Sequence, residues 1–182
     1  MSRVKLHLGC GWRNFGDDWI HVDGGNYNHL RHNSITELSW AQDNSVDLIY
    51  ASHVFEYFNR EEAINVLAEW HRVLKPGAIL RIAVPDFEVL CNMYSKKEIT
   101  LEQMVGPVFG KMAMADTTIY HKTTYDLSSI SKLVEENGFK NCIKYDWRKT
   151  EHADFDDHSQ AYIPHMDKSN GTLISLNIEC KK

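Results

Sequence analysis

The sequence predicts an α/β fold with a doubly wound, mostly parallel sheet, and three observations predict it. Two short apolar runs end in glycine within the first 25 residues: Val4 to Leu8 meets Gly9-Cys10-Gly11, and Trp19-Ile20-His21-Val22-Asp23 meets Gly24-Gly25. Strand, helix and strand then follow in order, a βαβ unit that requires parallel pairing and a right-handed crossover. Two further β-like runs close the chain after a late helix.

Each element has a local reason. Val46 to Ala51 follows the turn-like Gln42-Asp43-Asn44-Ser45, and Ala78 to Val84 ends at Pro85-Asp86. Between them Asn59 can cap a helix with Glu62 three residues on, Ile64, Leu67, His71 and Leu74 fall on one stripe, and Trp70 lies beside it as core. Lys75-Pro76-Gly77 ends that helix with a cation, a proline and a glycine. Helical patches from Glu102 to Met114 are broken by Gly106-Pro107 and Gly110, so residues 87–120 read as an insertion or lid. A helix capped by Asp126 carries Leu127, Ile130, Leu133 and Val134 and closes at Gly138. Cys142 to Trp147 and Leu173 to Cys180 read as closing strands, linked by a polar, solvated hairpin loop from His152 to Asn170.

At 182 residues the chain suits a single domain, 1–182, able to bury a core without staples. Apolar residues at 43% and charged residues at 25% exclude the disordered and fibrous classes. A net charge of −5 offers no field for a phosphate backbone, so no nucleic-acid partner is expected. No run approaches the ~18 apolar residues of a membrane span, and Met1 to Lys5 lacks the apolar core of a signal peptide. Cys10, Cys91, Cys142 and Cys180 form no Cys-x-x-Cys pair, which suits reduced thiols in a cytoplasmic protein. Cys10 is read as a small residue filling tight space rather than as a nucleophile.

The glycine turn is where chemistry is expected, because backbone N–H groups can approach a ligand where no Cβ intervenes. A dinucleotide fingerprint requires a third glycine at the sixth position, but Asn14 stands there. Asp23 ends the second strand, where a carboxylate can accept from both hydroxyls of a ribose. Only eleven residues separate Gly11 from Asp23, so the helix between them is trimmed to a turn or two around Trp12 to Asp17.

Lys5 to Gly11, Trp19 to Asp23 and Asp47-Leu-Ile-Tyr-Ala-Ser-His-Val-Phe-Glu-Tyr-Phe58 together resemble the first, second and fourth motifs of class I S-adenosylmethionine-dependent methyltransferases. Glu69 to Gly77 and Leu80 to Asp86 extend the likeness, which covers residues 4–90 with weaker echoes at His121 to Phe139 and Leu173 to Lys181. The resemblance implies a Rossmann-like sheet with an antiparallel last strand, S-adenosylmethionine as cofactor and S-adenosylhomocysteine as product. It places the methionine part along Gly9, Cys10 and Gly11, and the ribose on Asp23 beside Gly24. Adenine would lie near Ser34 and Ile35, with Ala51, Ser52 and His53 beneath the sulfonium. His7 stands where the first motif usually has an acid, Ser34 where an acid is common near adenine, and Tyr57 where the compact branch of the class that the chain resembles often has histidine.

Methyl transfer is an in-line displacement in which the protein aligns the partners and excludes water. A hydroxyl acceptor would also need a proton acceptor, for which His53 and His121 are the candidates. The acidic, histidine-bearing stretch His152 to His165 fails the calcium-loop and zinc templates, so no metal is expected. The expected activity is methyl transfer to a small-molecule or sugar-like acceptor. An inactive cofactor-binding module and a nicotinamide oxidoreductase stand as alternatives.

Overall fold

In the computed structural model, residues 3–114 and 117–182 are described. The chain begins with β1 (Lys5–Leu8), β2 (Trp19–Val22) and β3 (Val46–Ser52), followed by α1 (Arg60–Val73) and β4 (Leu74–Pro85). Next come α2 (Phe87–Ser95), α3 (Leu101–Phe109) and a small hairpin of β5 (Met112–Met114) and β6 (Thr117–Ile119). The last part contains α4 (Leu127–Glu136), β7 (Lys140–Lys144), a second hairpin of β8 (Tyr162–Ile163) and β9 (Thr172–Leu173), and β10 (Ser175–Lys181).

The main sheet has the order β2-β1-β3-β4-β10-β7. β2, β1, β3 and β4 run parallel, whereas β10 lies antiparallel to both β4 and β7. This is the doubly wound sheet with an antiparallel last strand. The chain leaves β1 for one edge and returns to its other side as β3, so a crevice opens beyond the carboxyl ends of these strands, where open α/β sheets bind ligands. Among the described residues, only an isolated bridge, Val22 to His32, continues the sheet beyond β2.

α1 has the expected cap: Asn59 accepts from the backbone of Glu61 and Glu62, and the Glu62 carboxylate accepts from the Asn59 backbone N–H. Its buried face is Ala63, Val66, Leu67, Trp70 and Val73, and Ile64 is 46% exposed. The stripe is rotated from the expected one because the fully buried Trp70 sets the helix face, its indole N–H donating to the Ile35 carbonyl at 2.8 Å. His71 is only half-buried, and Leu74, outside the helix, already begins β4.

Other expectations are corrected. Trp12 to Asp17 is a turn rather than a helix: Asn14 accepts from Gly16 N–H, and Phe15 is driven into an aromatic layer behind the sheet. Helix from Glu102 to Met114 stops at Phe109, because Gly110 turns to φ +55° and the hairpin follows. The strand expected from Cys142 to Trp147 is Lys140–Lys144, and Leu173 to Cys180 is divided at Ile174 between β9 and β10.

The stretch from His152 to Asn170 is solvated only in its later part, where Pro164 to Asn170 is mostly exposed. His152, Asp157, Ser159 and Gln160 are buried, with Tyr50 donating to Asp157 at 2.5 Å and Asn177 to the Ser159 carbonyl at 2.8 Å. His152 lies over Tyr50 with ring centroids 4.0 Å apart, and Phe155 stacks on Phe15 at 4.6 Å. His7 belongs to the same layer, 4.1 Å from Phe15, so it packs behind the sheet. Among the described residues, no helix is long and apolar enough to cross a membrane.

Candidate functional site

The strand ends open into one cleft of about 1670 Å3. Its floor is the turn after β1. Gly9 takes φ +69° and donates to the Val22 carbonyl at 2.8 Å, and a Cβ there would lie 2.5 Å from Val54. Only glycine fits both constraints. Gly11, at φ +56°, has nothing within 4 Å of an added Cβ, so its backbone is bare toward the cleft.

Asp23 ties this turn to the one after β2. One carboxylate oxygen accepts from Gly11 N–H and the other from Gly25 N–H, each at 2.7 Å. A carboxylate has about four lone-pair directions, so each oxygen can still accept a hydroxyl from the cleft. The group that holds the turn also lines the cleft.

Nine of the sequence-predicted residues meet around this cleft: Gly9, Gly11, Asp23, Gly24, Ser34, Ile35, Ser52, His53 and His121. Cys10 and Ala51 do not line it. Their side chains are buried beneath, because Cys10 turns inward toward His29 and Ala51 is enclosed within β3. Burial, with the Asp23 charge next, pushes the Cys10 thiol up to about 12, which suits packing and not nucleophilic attack.

His53 ends β3 at φ +51°, an uncommon conformation for a side-chain-bearing residue, with its N–H bonded to the Ala83 carbonyl at 2.8 Å. Its Nε2 lies 3.0 Å from Ser175 Oγ and its Nδ1 3.6 Å from Glu56 Oε1. His121 reaches the same carboxyl from the far side, with Nε2 3.7 Å from Glu56 Oε1 and Nδ1 3.1 Å from the Pro107 carbonyl. Burial lowers both imidazoles, and the neighbouring His158 and His121 lower His53 further. Burial raises the Glu56 carboxyl to about 8.

Sequence reasoning missed Glu56 as a site residue, and, although it read residues 87–120 as a lid, it did not name the wall formed by Trp12, Tyr27, Tyr57, Met112 and Tyr120. Those aromatic and apolar side chains come from four separate segments, and no spacing signals their convergence. His7, by contrast, faces away from the cleft, so its place in the first motif bears on packing rather than on ligand binding.

Residues 18–82 match the family model of a methyltransferase domain. The match spans about a third of the chain, and the sheet order is that of the class I methyltransferase fold. Solved structures share the methyltransferase fold along nearly the whole chain. An S-adenosylmethionine-dependent methyltransferase from Methanosarcina mazei is 14% identical with a TM-score of 0.59, covering 100% of this chain and 93% of that one. One from Archaeoglobus fulgidus is 16% identical with a TM-score of 0.58, covering 99% and 86%. The Burkholderia thailandensis 1,6-didemethyltoxoflavin-N1-methyltransferase, solved with its substrate and S-adenosylhomocysteine, is 13% identical with a TM-score of 0.56, covering 98% and 70%. At these identities the likeness is one of fold. No curated protein sequence matches this chain. The enzyme class and the cofactor expected from the motifs, a methyltransferase using S-adenosylmethionine, agree with the matching family model and with the similar structures.

Proposed function

We propose that this methyltransferase transfers the methyl group of S-adenosylmethionine to a small-molecule or sugar-like acceptor held between the glycine turn and the α3–hairpin segment. The observation that carries the reading is the cradle itself: a bare backbone at Gly11, braced by a carboxylate that retains acceptor capacity, at the switch point of the sheet. Residues 87–120 would act as the lid, since Pro107, Met112, Ile119 and Tyr120 form the far wall of the same cleft.

When bound, S-adenosylmethionine supplies a methyl group already activated by sulfonium charge, so the chain mainly aligns and desolvates. Gly9 and Gly11 would carry the methionine part, Asp23 the ribose hydroxyls, and Ser34 and Ile35 the adenine edge. Ser52 and His53 would border the reacting centre. The aromatic wall favours a flat or ring-bearing acceptor, because ring faces bury well against Tyr27, Tyr57 and Tyr120. His53 and His121, kept neutral by burial, would receive the proton of a hydroxyl or amine acceptor.

Calorimetric titration with S-adenosylhomocysteine tests the reading, with saturable binding below millimolar ligand as the expected result; no heat and no shift in melting at millimolar ligand would sink it. Binding without a methylated product across a broad panel of small acceptors would instead favour a cofactor-binding module. The nicotinamide alternative has lost its ground to the family match over residues 18–82.

A further inference from the structure

The structure holds a buried carboxyl that the motifs did not assign. Glu56 is 1% exposed, follows β3 in a short 3-10 turn (Phe55–Tyr57), and neither of its oxygens has a hydrogen-bond partner among the described residues. Burying such a group without partners is costly unless it is neutral. Its backbone carbonyl accepts from Lys122 and Thr123 N–H, so the segment carrying His121 is tied directly to it.

The protonation of the surrounding groups follows from hydrogen-bond accounting. Asn177 donates through Nδ2 to the Ser159 carbonyl, which leaves Oδ1 to accept from the Ser175 hydroxyl at 2.9 Å. Ser175 Oγ has therefore spent its proton and accepts from His53 Nε2. On the other side the Pro107 carbonyl can only accept, so His121 Nδ1 carries the hydrogen. A neutral imidazole has one N–H. The bare nitrogens, His53 Nδ1 and His121 Nε2, thus both face Glu56 Oε1, at 3.6 and 3.7 Å. An ionised Glu56 would set lone pairs against lone pairs on both sides. One proton on the carboxyl removes this clash, and a closure of the 3.6 or 3.7 Å gap by under 1 Å lets it donate to either ring.

We propose that Glu56 is a carboxylic acid at neutral pH whose proton is shared between His53 and His121, making it the positioning residue that readies this pair to take the acceptor's proton. Its use in catalysis rests on the methyltransferase reading, whereas its protonation does not. Methylation of an O–H or N–H acceptor forms a bond from that atom to carbon and releases one proton. The trio has room for it: one imidazole takes the released proton on its bare nitrogen beside Glu56, Glu56 passes its own to the bare nitrogen of the other, and a carboxylate is left between two imidazolium rings. The net charge of the trio rises by one, and each new charge faces its opposite. The other titratable or charged groups around the carboxyl are Tyr57, which packs edge-on to His121, Tyr125, Arg60 at the start of α1, Lys122, and His158 beside His53. Lys122 is paired with Glu62, and Tyr57 and Tyr125 are held neutral by burial.

Histidine NMR and infrared spectroscopy on the ligand-free protein at pH 7 test this. His53 should appear as the neutral Nε2–H tautomer and His121 as the neutral Nδ1–H tautomer. A carboxylic-acid C=O band should move on 13C labelling of glutamate and vanish in Glu56→Gln. In that variant the amide cannot give up a proton, so the first protonation of the histidine pair should fall by about one pH unit or more. An imidazolium signal from either histidine at pH 7, or the absence of the acid band, would overturn the proposal. The wild-type spectra decide it even if Glu56→Gln does not fold. S-adenosylhomocysteine titration of the same samples separates the two readings: a neutral Glu56 in a protein that fails to bind would remove the methyltransferase role and leave the protonation standing.

Discussion

Asp23 does two things with one carboxylate, and this makes its replacement informative. In Asp23→Asn one oxygen becomes an NH2 group that must face the N–H of Gly11 or Gly25, donor against donor. The turn should lose about 1–3 kcal/mol from an unsatisfied backbone group, and S-adenosylhomocysteine affinity should fall by about tenfold or more through the lost hydroxyl contact. Thermal melting reads the first effect and calorimetry well below the melting temperature reads the second; an unchanged affinity would remove Asp23 from the ribose site. The place of Asp23 at the cleft was legible in the sequence because a strand-end acid after a glycine turn is a local signal. Glu56 was not legible. It lies within the fourth-motif string Asp47 to Phe58 with no role attached to it, and only the fold brings His53 and His121 to it from 3 and 65 positions along the chain.

At the scale of elements, α1 is held by signals that the sequence spells out. Asn59→Ala removes the acceptor for two N–H groups and should cost about 1 kcal/mol of stability, read from the midpoint of denaturant unfolding with an unchanged slope. Ser at the same position should recover most of it. β1 to β4 and α4 were legible for the same kind of reason, since caps, glycines and apolar runs act over a few residues. The segments that shape the far wall were not. α3 buries no residue completely, so its limits follow from Gly110, whose added Cβ would lie 2.3 Å from His121 Nε2. The stretch from His152 to Gln160 looks polar in sequence, yet its groups are buried because Tyr50 and Asn177 supply partners from distant strands. Polarity alone does not announce that satisfaction.

For the whole molecule, two sets of buried groups give stability opposite pH dependences. Burial holds His152 at about 4 and lowers His7, against an ordinary imidazole value of 6.5. The unfolded chain therefore binds more protons than the native protein below 6.5. The stability tied to these rings is present above 6.5 and lost as pH falls toward about 4. Glu56 works the other way: its folded value of about 8 exceeds the ordinary 4.5, so its contribution is full below 4.5 and lost as pH rises through about 8. Melting temperature should thus peak on the acid side of neutrality, with Glu56→Gln flattening the alkaline limb and leaving the acid limb in place. A melting curve that rises steadily to pH 9 would contradict this.

The rim of the cleft carries one more consequence, an optical one. Trp12 is 67% exposed and borders the cleft, while Trp19, Trp70 and Trp147 are buried and Trp40 is half-covered. A molecule settling on the glycine turn would shield that single indole from water and leave the emission of the others nearly unchanged. The blue edge of the tryptophan fluorescence would then count occupied sites directly, without a label and before any acceptor has been identified.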